Sequence, residues 1–140
     1  DVSCHSFIRM AKLAEPLMEK AGGGSMQTVS YFGAEKVVEH YNIMGPVKAA
    51  LESVTRYLAA ELGPKGIRVN TLSPGPLATR AASGIDHFDD LMVKATERAP
   101  THHLTTIEEV GSYSAFLATD AAKSVTGQLV YIDGGYNIIG

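Results

Sequence analysis

Ile67-Arg68-Val69-Asn70-Thr71-Leu72-Ser73-Pro74-Gly75-Pro76 is the stretch whose reading decides the fold. Apolar side chains alternate through Ile67, Val69 and on to Leu72, and Pro74-Gly75-Pro76 breaks the run sharply, which marks a strand ending in a loop. Upstream, Gly63-Pro64 stops a helix of about 18 residues that is entered through Val37 to Asn42. Its apolar set is Val47, Ala50, Leu51, Val54, Tyr57, Leu58 and Leu62, an amphipathic stripe. Lys48, Glu52 and Arg56 follow a second line, on which Glu52 and Arg56 read as a solvated pair. Further back, Met26 to Tyr31 reads as a strand behind the turn Gly22-Gly23-Gly24. A helical period through Phe7, Ile8, Ala11, Leu13, Ala14, Leu17 and Met18 precedes it, with a cap at Ser3 and a kink or early end signalled by Pro16.

Downstream of the deciding stretch, Ala81-Ala82-Ser83-Gly84-Ile85 has small residues and no period, and Phe88, Leu91, Met92 and Ala95 mark a short helix. Few apolar anchors make Pro76 through Ile85 a mobile segment by expectation. Thr106-Ile107-Glu108-Glu109 matches a capping box for a helix through Val110, Tyr113, Phe116 and Leu117. Gln128 to Ile132 is the last strand, and Asp133-Gly134-Gly135 is its turn. Strand, helix, strand, helices, strand is the order that gives a parallel α/β sheet with right-handed crossovers. The triple glycine follows a helix and opens a strand, the reverse of a phosphate-cradling loop, so it reads as a turn.

A chain of 140 residues fits one domain, and its 45% hydrophobic content, 19% charged content and net charge of -3 point to a soluble globular protein with no nucleic-acid partner. Cys4 is the only cysteine, which excludes an internal disulfide and favours a reducing, cytoplasmic home. No apolar run is long enough for a membrane span and no leader is visible. His40, His87 and the pair His102-His103 lack the spacing of a metal site, so none is expected.

Chemistry concentrates in Ser30-Tyr31-Phe32-Gly33 and Tyr41-Asn42-Ile43-Met44-Gly45-Pro46-Val47-Lys48. Seven helical positions come to about 700°, so Tyr41 and Lys48 would share one face about 10 Å apart along the axis. A free phenol titrates at about pH 10. A nearby ammonium would lower that value while donating hydrogen bonds to hydroxyls lying between the two groups. Tyr31, at the end of the strand, offers a second hydroxyl to the same pocket. In an open parallel sheet ligands sit outside the carboxyl ends of strands, where both Tyr31 and the Pro74-Gly75-Pro76 loop fall. These residues leave open a reductase site, whatever its carbonyl or enoyl substrate, and a cofactor-free structural fragment.

The surrounding sequence resembles the bacterial enoyl-acyl carrier protein reductases, a divergent branch of the short-chain dehydrogenase/reductases. The resemblance runs through Tyr31-Phe32-Gly33-Ala34-Glu35-Lys36, Tyr41-Asn42-Ile43-Met44-Gly45, Lys48-Ala49-Ala50-Leu51-Glu52 and Gly66-Ile67-Arg68-Val69-Asn70. It continues through Ser73-Pro74-Gly75-Pro76, Ala81 to Ile85 and Asp133-Gly134-Gly135. The common superfamily members place their lysine four residues after the tyrosine, which here is Gly45; Lys48, with a second tyrosine ten residues upstream of Tyr41, is the pattern of the enoyl reductase branch.

The resemblance implies the C-terminal half of a doubly wound parallel-sheet, Rossmann-type α/β domain, with the N-terminal phosphate-binding half absent. It implies NADH as cofactor, NADPH not being excluded, and a trans-2-enoyl thioester on acyl carrier protein as substrate. Catalytic roles fall to Tyr31, Tyr41 and Lys48: Tyr41 facing the thioester oxygen, Lys48 holding the nicotinamide ribose, and Tyr31 near the acyl chain. Cofactor contacts are expected at Lys48 and at Leu77, Ala78, Thr79, Arg80 and Ala81, and substrate contacts at Tyr31, Met44 and Phe88. Ala81 to Ile85 with the helix after it would form a lid, and a homo-oligomer, a tetramer, is the expected assembly.

Overall fold

The computed structural model describes residues 2–77 and 88–139. Seven main elements follow one another: α1 (His5–Lys20), β1 (Gly24–Val29), α2 (Met44–Leu62), β2 (Ile67–Pro74), α3 (Phe88–Arg98), α4 (Ile107–Ala118) and β3 (Leu129–Ile132). The three strands form one sheet in the order β1-β2-β3. Both pairings are parallel, Gly24 to Val29 against Ile67 to Leu72 and Thr71 to Pro74 against Leu129 to Ile132. All carboxyl ends therefore point the same way, which brings Tyr31, Leu77 and Asp133 to one edge.

Alternation along β2 divides the core into two layers. Ile67 and Val69 pack with Met26, Ala11, Ala59 and Leu62 under α1 and α2. Leu72 packs with Leu117 and Ala122 on the opposite face, covered by Val110, Tyr113 and Val130. Polar side chains of the second face stitch loops to the sheet. Arg68 donates to the carbonyls of Leu117 and Thr119 at the end of α4, where the free helix carbonyls favour a cation. Asn70 is fully buried. Its amide donates to the Val125 carbonyl at 2.9 Å and its oxygen accepts from the Gln128 amide at 3.1 Å, fixing the approach to β3. Asn70→Ala strands both groups, and each unpaired buried group costs about 1–3 kcal/mol. We expect a fall in Tm on the order of 10 °C; an unchanged melting curve would show the bonds to be dispensable.

Several expected boundaries move. β1 begins and ends two residues earlier than expected, because its start is set by pairing Gly24 with Ile67. Ser30 and Tyr31 lie just past it, although the Ser30 amide still bonds the Leu72 carbonyl at 2.8 Å. Pro16 does not end α1, which continues to Lys20. Phe7, Ala11, Ala14 and Met18 anchor both sides of the proline on the sheet, and that packing outweighs one lost hydrogen bond. Cys4, not Ser3, sits at the N-cap, with no side-chain cap bond. The capping box at Thr106 and Glu109 is formed in both directions. No helix among the described residues is long and apolar enough to cross a membrane.

The buried face of α2 also differs from the expected stripe. Leu51, Glu52, Thr55, Ala59 and Leu62 are buried, whereas Ala50 is exposed and Tyr57 is 71% exposed. Polar members enter this face because they find polar partners on the sheet: Thr55 Oγ1 lies 2.6 Å from Thr71 Oγ1, and Glu52 meets Ser30. Glu52 is thus not half of a solvated pair with Arg56.

Candidate active site

Tyr31 leaves β1 in an extended conformation and leads into the 3-10 turn Phe32–Ala34. Its ring meets that of Tyr41 edge-on, centroids 5.1 Å apart, and a further edge contact joins Phe32 to Tyr136 beyond β3 at 5.3 Å. Such edge-to-face pairs favour one relative orientation of the rings. The Tyr31 hydroxyl is buried and makes no hydrogen bond among the described residues. A buried hydroxyl in that state marks a place where a polar ligand atom fits.

Tyr41 is not on a helical face. It precedes α2 and sits between His40 and Asn42, whose φ values of 62° and 48° are left-handed. Such conformations strain residues other than glycine, least so asparagine, and gather where geometry serves function. The loop is pinned by the Met44 amide bonding the Tyr41 carbonyl at 3.1 Å and the Tyr41 amide bonding the Val38 carbonyl at 3.2 Å. The even helical geometry expected for Tyr41 and Lys48 therefore fails: a loop, not a helix face, presents the phenol.

Two glycines make the space. A Cβ at Gly33 would lie 2.6 Å from Cδ1 of Tyr41, and one at Gly45 would lie 2.8 Å from the carbonyl oxygen of Gly33. The position at which the wider superfamily carries its lysine is thus closed to any side chain. Lys48, one turn further along α2, is half-buried and reaches back to donate to the Val29 carbonyl at 2.8 Å. It thereby ties α2 to the end of β1.

The electrostatics also depart from expectation. Burial holds the Tyr41 phenol above its ordinary value of 10.0; Lys48 does not acidify it. Burial lowers the Lys48 ammonium, against the opposing pull of the Glu52 carboxylate. Tyr31 is raised furthest of the three, first by burial and then by Tyr136 and Tyr41. A phenol raised in the folded state contributes stability that is fully present below 10.0 and is lost as pH rises through the folded value. Lys48 acts in the opposite direction below 10.5. Comparing wild type with Tyr31→Phe isolates the tyrosine: above about pH 10 the wild type should lose Tm faster. Parallel curves would overturn this.

Of the remaining expected site residues, Met44 is the first residue of α2 and half-buried, and Leu77 is half-buried beyond β2. Phe88 opens α3, and its side chain lies outside the described residues. So do Ala78, Thr79, Arg80 and Ala81, and with them most of the segment expected to be mobile and to form a lid. Ser30 and Glu52 were not anticipated; their one signal in the sequence is a carboxylate four residues after Lys48 on the same helix. His103 pairs with Glu109 of the capping box at 3.2 Å.

Residues 1–137 match the family described as Enoyl-(Acyl carrier protein) reductase. The enoyl-[acyl-carrier-protein] reductase [NADH] of Synechocystis is 47% identical over 140 residues, covering all of this chain and 54% of that protein. Its namesake in Buchnera aphidicola is 46% identical over 138 residues, 99% of this chain and 52% of that protein. Among solved structures, the Bacillus cereus enoyl-acyl carrier protein reductase with NADP+ and indole naphthyridinone is similar with a TM-score of 0.94 and 43% identity, over 99% of this chain and 53% of that one. The Anaplasma phagocytophilum enzyme in complex with NAD gives a TM-score of 0.89 at 43% identity, over 99% and 50%. The chain spans about half the length of the curated relatives it matches. The parallel sheet is that of the Rossmann-type reductases, and the chain belongs to the enoyl-(acyl carrier protein) reductase family.

Proposed function

We propose that the chain is the C-terminal part of an enoyl-acyl carrier protein reductase of fatty acid biosynthesis, whose dinucleotide-binding domain is completed by an N-terminal half. The observation that carries this reading is the gathering of Tyr31, Tyr41 and Lys48 at the carboxyl edge of the sheet, with the Tyr31 hydroxyl buried and unbonded. The groups fit a nicotinamide nucleotide. An ammonium has three donors, and the Val29 carbonyl engages one, leaving others for ribose hydroxyls. Lys48 would hold that ribose, and Leu77 and the following residues through Ala81 would face the nicotinamide end.

When bound, the cofactor supplies a hydride to the β-carbon of the trans-2-enoyl thioester. Negative charge then develops on the thioester oxygen, and stabilising it is where a protein donor contributes most. Tyr41 donates to that oxygen. A phenol held protonated by burial remains a donor throughout the neutral range. Tyr31 offers a second hydroxyl beside it, and Met44 and Phe88 would line the acyl chain.

The relatives are named for NADH, which we take as the preferred cofactor. The substrate is carried on acyl carrier protein, the protein is cytoplasmic, and it works as a homo-oligomer, a tetramer by family resemblance. Met10, Leu13 and Leu17 of α1 and Tyr57 of α2, all exposed, suit such contacts. In the full-length chain, NADH oxidation with crotonyl thioester against a panel of ketones tests the reading, with NADPH as a parallel cofactor. Ketone reduction without enoyl reduction would replace it with another short-chain reductase activity.

A further inference from the structure

Beneath α2, beside the three site residues, lies a polar cluster with no assigned role. The Ser30 hydroxyl donates to Oε1 of Glu52 at 2.5 Å, and both residues are buried, 3% and 8% exposed. Ser30 immediately precedes Tyr31 and follows Val29, whose carbonyl receives the Lys48 ammonium. Glu52 lies one helical turn after Lys48. Two bonds therefore cross from α2 to the end of β1: Lys48 to Val29, and Glu52 to Ser30. Both fall on the two residues just before Tyr31 and so fix where its turn begins.

Resting on the reductase reading, we propose that Glu52 is a positioning residue, which clamps the end of β1 to α2 through Ser30 and so sets Lys48 and Tyr31 for cofactor binding. A purely structural part is disfavoured by its energetics. Burial raises the Glu52 carboxyl above 4.5; the Ser30 hydroxyl lowers it, Glu35 raises it, and Arg56 and Lys48 lower it. The Tyr131 phenol faces the same cluster from β3, raised by burial, then by Glu35, with a smaller push from Glu52. A carboxyl whose folded value is raised contributes stability below 4.5 that is lost as pH rises through the folded value, so at neutral pH its charge weakens the fold. Functional sites are where such local costs to stability are expected to gather.

Glu52→Gln keeps the size and an acceptor for Ser30 while removing the charge. In the full-length chain it should raise Tm relative to wild type, more at pH 8 than at pH 4.5. Glu52→Ala, which removes the acceptor, should raise the KM for NADH about tenfold with kcat within about threefold, and Glu52→Gln should hold it near wild type. Ser30→Ala should raise that KM similarly, and Ser30→Thr should restore it. A KM for NADH within about twofold of wild type in both Glu52→Ala and Ser30→Ala overturns the clamp. Competitive acetylation of Lys48 across pH, read by peptide mass, decides independently of activity. Removing the Glu52 charge lets burial pull the Lys48 value further down, so its midpoint should move to lower pH. An unmoved midpoint overturns the proposal even if wild type reduces no enoyl thioester, whereas a moved midpoint in an inactive protein faults only the reductase reading.

Discussion

In the full-length chain Lys48→Ala should raise the dissociation constant for NADH about 10- to 100-fold, the loss of a charged hydrogen bond worth about 1.5–3 kcal/mol. Tyr41→Phe should instead lower kcat by about 10²–10³-fold and leave NADH affinity within about twofold. The division follows from where each group sits. Lys48 is anchored on α2 and points toward the end of β1, whereas Tyr41 stands on its own strained loop with its ring against Tyr31. A phenylalanine at position 41 keeps the ring contact and removes the donor alone. Equal loss of cofactor affinity in the two variants, by titration, would end this assignment of roles.

The second large effect concerns the 140 residues prepared alone. The sheet has β1 and β3 at its edges, Val29 of β1 is half-exposed, and Met10, Leu13 and Leu17 form an uncovered apolar line on α1. Unpaired strand edges beside exposed apolar surface favour association. The relatives are about twice as long. A doubly wound domain binds the pyrophosphate at a glycine-rich turn after its first strand, which no strand described in this chain provides. We expect the isolated chain to associate in solution, to bind NADH weakly if at all, and to reduce no enoyl thioester measurably. Saturable micromolar binding to a monodisperse preparation, about -8 kcal/mol, would refute this.

The fold was largely legible because its signals are local. Alternation around Val69, the Gly63-Pro64 stop and the Thr106 capping box depend on near neighbours in the chain, and the parallel pairing follows from the alternation of strands and helices. The site was legible in its residue types but not in its geometry. Periodicity carries Tyr41 into the helix, since His40 and Asn42 tolerate a left-handed backbone without requiring one. Nor does spacing show that Glu52 turns inward: with Lys48 and Arg56 on either side it forms a charged row like any solvated one. Only the sheet beneath it, with the Ser30 hydroxyl at the end of a neighbouring strand, reveals the difference. Contacts between residues distant in sequence are what a single sequence leaves unwritten.

The close approach of Gly45 to Gly33 bears on how such a protein diverges from its superfamily. A lysine at position 45 would collide with the Gly33 carbonyl, and the turn that would have to give way is itself in close contact with the Tyr41 ring. Moving the ammonium from position 48 to the commoner place therefore takes more than one exchange of side chains: the turn at Gly33, which packs on the Tyr41 ring, has to be rebuilt with it.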